Sequence, residues 1–184
     1  MAAVASLCVF CGAQTGRNPA HVEAARSLGT ALARRGITLI YGAGGIGLMG
    51  ELADAVLAEG GKAVGVIPEQ LESLEVAHRG LTEMVVTEDM FRRKQVMMDR
   101  ADGFVVLPGG FGSLDEFFEV LTWKQLGFHD KPVIVLDSDG FWGPLFDLLD
   151  HVGAEGFAPQ ATSALAAVVR STDELFRVLD NSEA

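Results

Sequence analysis

Two stretches carry residue types suited to chemistry on a small anionic molecule. Pro108-Gly109-Gly110-Phe111-Gly112-Ser113-Leu114-Asp115-Glu116 follows an apolar run, Phe104 to Leu107, and precedes an amphipathic one, Leu114 to Leu126. That order reads as strand, glycine-rich turn and helix start. Glycines let backbone N–H groups approach an anion closely, and the unsatisfied N–H groups of a helix N-terminus favour negative charge. Glu116 then sets a carboxylate beside whatever the loop holds. The same residues admit a purely structural reading, in which glycines make the turn and Ser113-x-x-Glu116 is a capping box. The second stretch, Arg92-Arg93-Lys94, opens the preceding helix. Adjacent helical residues point about 100° apart, so one or two of the three can reach a common site while the rest stay solvated. Arginine suits bidentate recognition of a phosphate or carboxylate better than lysine does.

A third stretch, Gly42-Ala43-Gly44-Gly45-Ile46-Gly47, matches G-x-G-x-x-G after a strand and before a helix. That spacing is the dinucleotide fingerprint, which also wants an acidic residue ending the next strand, about 20 residues on. Ile67-Pro68-Glu69 stands there, and the proline spoils the geometry for Glu69. Gly42, Gly44 and Gly45 are therefore read as phosphate or ribose contacts without NAD, and no cofactor is expected. Cys8 and Cys11 have C-x-x-C spacing but fall in an apolar run, whereas a redox pair prefers a helix N-terminus. With no second cysteine pair and four scattered histidines, the cysteines read as structural and no metal site is expected.

The elements that must position these residues follow from periodicity. Leu7–Cys11, Ile37–Tyr41, Ala63–Ile67, Met84–Val86, Phe104–Leu107, Val133–Leu136 and Ala166–Val169 read as strands. Between them lie helices: one capped by Asn18 with Pro19 at its first position and ended by Gly36, one from Leu48 to Glu59, and one capped by Thr87 and running to Arg100. Three more follow at Leu114–Leu126, Phe141–His151 and after the capping box Ser171 to Glu174. Residues 68–82 lack periodicity and are a candidate substrate loop. Short apolar strands alternating with helices predict an α/β, three-layer Rossmann-like fold, with about seven parallel strands and helices on both faces, in one domain spanning 1–184. In such sheets ligands bind beyond the strands' C-terminal ends. Both glycine turns lie there, as do the turns after Phe10, Ile67 and Val86.

Composition narrows the function. A formal net charge of −11 opposes extended nucleic-acid binding, which needs a cationic surface, but not a small anion held by local donors. No apolar run nears the roughly 20 residues of a membrane span, and no basic segment precedes the first hydrophobic run. A cytoplasmic protein with no membrane partner is the expectation.

The combination of Pro-Gly-Gly-x-Gly-Ser-x-x-Glu at 108–116 with Arg93-Lys94 resembles the LONELY GUY family of cytokinin-activating phosphoribohydrolases, often mislabelled as lysine decarboxylases. The likeness continues in Cys8 to Gly12, Tyr41 to Gly50, Gly65 to Pro68, Gly140 to Trp142 and Glu155 to Phe157. It implies hydrolysis of the N-glycosidic bond of N6-modified adenosine 5′-monophosphates, and possible action on AMP itself, giving free base and ribose 5-phosphate. It implies Arg93 and Glu116 as the essential pair. Substrate-binding positions matched by the resemblance are Glu75, Lys94, Gly110, Phe111, Gly112, Ser113, Leu114, Asp115 and Thr122, and a homodimer is implied. The chain departs from the family pattern at Ser113, where threonine is usual, at Phe91, where histidine is common, and at Phe141-Trp142, where paired tyrosines are frequent. Two other classes stay open: a nucleotide-binding or sensor protein without turnover, and an NAD-dependent oxidoreductase resting on Gly42 to Gly47 alone.

Overall fold

The computed structural model describes residues 4–72, 77–158 and 165–182. Strands and helices alternate throughout. In chain order they are β1 (Ser6–Phe10), α1 (Ala20–Arg34), β2 (Thr38–Tyr41), α2 (Gly47–Ala58), β3 (Ala63–Pro68), the single turn α3 (Glu69–Glu72), β4 (Glu83–Thr87) and α4 (Met90–Arg100). Then come β5 (Gly103–Val106), α5 (Phe111–Gln125), β6 (Val133–Leu136), α6 (Gly143–Ala154), β7 (Ala167–Val169) and α7 (Thr172–Ser182). All seven strands form one parallel sheet in the order β4-β3-β2-β1-β5-β6-β7. The expected class and strand number are both found.

The central strands are continuous apolar runs because both their faces are covered. Side chains alternate across the sheet: Leu7, Val9 and Cys11 enter one hydrophobic cluster with α1, α2 and α7, through Leu28, Leu52 and Leu175. Cys8 and Phe10 enter the other, with α4, α5 and α6, through Met97, Phe117 and Leu149. Four helices end in the same way. Gly36, Gly60, Gly127 and Gly156 take positive φ after α1, α2, α5 and α6, and the paired bonds of a Schellman motif close each end, as in Gly36 N–H to Ala33 O and Ile37 N–H to Leu32 O.

Several helix starts differ from the sequence expectation. α1 begins at Ala20 with Pro19 at the cap position; Asn18 still accepts from Ala20 N–H through Oδ1 at 3.0 Å. The α4 cap is Asp89, whose Oδ1 accepts from Arg92 N–H at 2.8 Å. Thr87 ends β4 instead, its hydroxyl donating toward Ile67 O and Asp89 O. α5 starts three residues before Leu114, because Gly110 is extended and serves as the cap position without a side-chain bond. Ser113 is thus the helix's third residue, buried, with its hydroxyl packed against Gly109 where a Cβ would otherwise stand. The Ser113 capping box does not form. β3 runs on through Pro68, which pairs with Thr87. α6 is shifted to Gly143–Ala154. Among the described residues no helix is long and apolar enough to cross a membrane.

Candidate active site

The strand order reverses between β1 and β5, so the chains leaving these neighbours diverge to opposite faces of the sheet, α1 to one and α5 to the other. A crevice opens between them at the strands' C-terminal ends. Its floor is fixed by main-chain bonds, Leu107 N–H to Phe10 O at 2.9 Å and Gly12 N–H to Pro108 O at 3.0 Å. The cavity above has a volume of about 740 Å3 and a mostly apolar lining.

Arg93 reaches this cavity from α4. It is 6% exposed, and its guanidinium is anchored before any ligand arrives. Nε donates to Val66 O at 3.1 Å, within β3, and Nη2 to Gly42 O at 2.9 Å, just after β2. A Cβ on Gly42 would collide with Nη2, so any larger residue there would displace the guanidinium. Glu116, half-buried in the second turn of α5, lines the same cavity. The charges of both residues are felt at the cavity floor. Burial raises the Cys8 thiol well above its ordinary value, Glu116 raises it further and Arg93 opposes. Burial and Glu116 likewise raise Cys11. Both cysteines are free and buried; such thiols are poor nucleophiles, which agrees with a structural role.

The start of α5 supplies the anion-binding geometry. Gly110 precedes the helix, so the N–H groups of Phe111, Gly112 and Ser113 have no acceptor one turn back. Gly110 and Gly112 face open space, and Gly110 through Ser113, with Asp115, line the cavity. An anion can sit on these donors directly.

Other sequence-predicted positions lie elsewhere. Lys94 turns to α5, 3.2 Å from Asp115 Oδ2 and 3.0 Å from Glu119 Oε2. Burial lowers its ammonium, but the two carboxylates outweigh that and the net shift is upward. Leu114 packs against the second cluster. Thr122 is exposed on α5, its hydroxyl donating to Phe118 O at 2.7 Å. Glu75 lies outside the described residues. In the Gly42–Gly47 turn, Gly42 lines the cavity, while Gly44 packs on Met49 and Gly45 on Gly50. The N-terminus of α2 is already occupied: Leu48 N–H and Met49 N–H both point at Gly12 O, at 3.0 and 3.4 Å. Gly47, with φ of 63°, lets the loop after β1 press against it. These groups close the turn rather than present it to a pyrophosphate.

The turn after Phe10 was expected at the crevice, but none of its residues was given a role in the site. That loop, from Gly12 to Asn18, forms one wall together with His21 and Phe141. Phe141 is held there by the turn after β6: Asp137 accepts from Trp142 N–H at 3.2 Å and from Arg170 at 3.1 Å. Trp142 packs edge-on to Phe141 with centroids 4.6 Å apart. The only signal in the sequence was position, since His21 opens the helix that follows the central strand.

Fold and site together define a Rossmann-like α/β protein with an arginine, a carboxylate and a helix N-terminus converging on one cavity at the switch point. A family model described as "Possible lysine decarboxylase" matches residues 49–179. A cytokinin riboside 5′-monophosphate phosphoribohydrolase of Rhodococcoides fascians is 44% identical over 169 residues, 91% of this chain and 85% of that protein. The enzyme of that name designated LOG7 in Arabidopsis thaliana is 41% identical over 177 residues, 96% of this chain and 82% of its own. Among solved structures, the molybdenum cofactor binding protein of Rippkaea orientalis superposes with a TM-score of 0.73 at 18% identity, covering 97% of each chain. The molybdenum cofactor carrier protein of Chlamydomonas reinhardtii gives 0.71 at 19%, covering 96% of each. These two share the fold. The chain belongs to the cytokinin riboside 5′-monophosphate phosphoribohydrolase, or LONELY GUY, family.

Proposed function

We propose that this chain is a phosphoribohydrolase that cleaves the N-glycosidic bond of N6-modified adenosine 5′-monophosphates, releasing the free base and ribose 5-phosphate. AMP is a further candidate substrate. The observation that carries the reading is the convergence of Arg93, Glu116 and the α5 N-terminus on a single cavity, in a chain whose relatives of 41–44% identity bear this activity in their names.

Breaking the bond to ribose builds positive charge on the sugar as the base leaves. In this reading Glu116 stabilises that charge and takes the proton of the attacking water. The N–H groups of Phe111, Gly112 and Ser113 hold the 5′-phosphate, and Arg93 orients the ligand from its carbonyl anchors. Glu75 is assigned to the ribose or base on resemblance. Lysine decarboxylation finds no support, since a Schiff-base lysine must be neutral and Lys94 is held charged between two carboxylates. A cytoplasmic location fits an ionic substrate that does not cross membranes unaided, and fits the free thiols.

We also propose a homodimer. Phe111, Phe118, Thr122 and Leu126 share one face of α5 by four- and seven-residue spacing. Phe111 is 91% exposed and Leu126 61%, a costly surface to leave in water. A second copy of the chain would cover it, and Thr122 with it. Phe118→Glu should then give a monomer by sedimentation; an unchanged mass would remove this face from the interface.

The activity itself is tested by incubating the purified chain with a panel of nucleoside 5′-monophosphates and measuring released base and ribose 5-phosphate. Release from N6-substituted AMP is expected, with none from the corresponding nucleosides. Binding without release would make the chain a nucleotide sensor.

A further inference from the structure

The wall of the cavity opposite α5 carries a group that the reading above leaves unused. His21, the second residue of α1, is 6% exposed and lines the cavity. Its Nδ1 is buried and has no hydrogen-bond partner among the described residues. Asp139 Oδ2 stands 3.4 Å from it, an ion-pair distance without a formed hydrogen bond. Asp139 is itself aimed from the turn after β6 by Asn18 Nδ2, which donates to the same Oδ2 at 2.7 Å. The other edge of the ring, Cδ2 and Nε2, faces Gly16 of the cavity-lining loop. Phe141 meets the ring edge-to-face, with centroids 5.4 Å apart, and fixes its plane.

The carboxylate thus stands on the Nδ1 side of the ring, and the Cδ2–Nε2 edge lies along the Gly16 loop that lines the cavity. His21 and Glu116 stand on helices of opposite faces of the sheet, so a nucleotide in the crevice lies between them. Glycosidic cleavage has two charge problems on two sides of the bond: cation on the sugar and anion on the departing base. Glu116 answers only the first.

We propose that His21, positioned by Asp139, is the general acid that protonates the leaving base; this rests on the hydrolase reading of the same site. As the C1′–N9 bond breaks, its electron pair passes into the purine. The Nε2–H proton of the imidazolium moves to a purine ring nitrogen. Water attacks C1′ and gives its proton to Glu116. Exchange with solvent then removes the proton from Glu116 and restores the one on His21, leaving free base and ribose 5-phosphate.

The test compares leaving groups. The probes are N6-isopentenyladenosine 5′-monophosphate, whose base needs a proton to depart, and 4-nitrophenyl β-D-ribofuranoside 5-phosphate, whose nitrophenolate does not. His21→Gln should lose about 10²–10⁴-fold in kcat on the purine nucleotide while staying within about threefold of the parent on the nitrophenyl substrate. Asp139→Asn, which leaves the His21–Phe141 packing in place, should show the same split at smaller size. Glu116→Gln should lose turnover of both substrates. Equal losses on the two substrates in the His21 and Asp139 variants, or no loss on either, would overturn the proposal. Turnover of neither substrate by the parent protein would instead overturn the hydrolase reading.

Discussion

Arg93 is the residue on which structure and chemistry meet most closely. Its guanidinium satisfies the carbonyls of Val66 and Gly42, so Arg93→Ala orphans two buried acceptors as well as removing a charge. Each orphaned group costs about 1–3 kcal/mol. The variant should therefore lose both activity and urea resistance; an unchanged unfolding midpoint would contradict the anchoring. In the sequence, fork-like donors favoured arginine over Lys94, and only the family resemblance chose Arg93 over Arg92. That Lys94 belongs to α5 was not legible, because its partners Asp115 and Glu119 lie on another helix whose position no local pattern fixes. The thiols carry a second prediction at this scale. Cys8 and Cys11 should resist a thiol reagent such as Ellman's in the native protein and react on unfolding; fast native labelling would contradict their burial.

At the scale of elements, the loops do what the strands alone cannot. The end of β2 brings a carbonyl with no side chain above it against Arg93, and Gly42→Ala would push a methyl group into Nη2. We expect this single methyl to abolish most turnover while far-ultraviolet circular dichroism stays native; full activity would show that Arg93 tolerates displacement. The G-x-G-x-x-G spacing was legible as a tight strand-to-helix turn. What it closes on was not, since Gly12 O caps α2 from a loop distant in sequence. The start of α5 was misplaced because a serine followed three residues later by glutamate imitates a cap. The observed start leaves three N–H groups to the cavity, which favours the ligand-binding reading over the structural one.

For the molecule as a whole, the fold class could be read from short apolar runs alternating with amphipathic ones. Strand order could not, and the site depends on it: β1 and β5 are far apart in sequence, and only their pairing brings the two loops to one crevice. The other side of β5 carries a pH-sensitive contact. His129 is lowered by burial, with Lys124 and Lys131 adding to the effect and its bond to Val120 O opposing it. Its Nδ1 is buried with no partner among the described residues. The folded chain thus binds this proton less readily than the unfolded one, so stability should fall as pH drops through the unfolded value of about 6.5. The urea midpoint should decline from about pH 7.5 to 5.5, and His129→Gln should flatten that decline; an equal slope in the variant would assign it to other groups.

The proposed chemistry turns on the carboxylate in the second turn of α5. Glu116→Gln keeps size and hydrogen bonding but cannot offset charge on the sugar or accept a proton from water. Measured side by side on N6-isopentenyladenosine 5′-monophosphate, the variant should bind the nucleotide with an affinity near that of the parent. Its rate of base release should fall by at least about 10²–10⁴-fold. Base release at the parent's rate, with binding intact, would take Glu116 out of the chemistry.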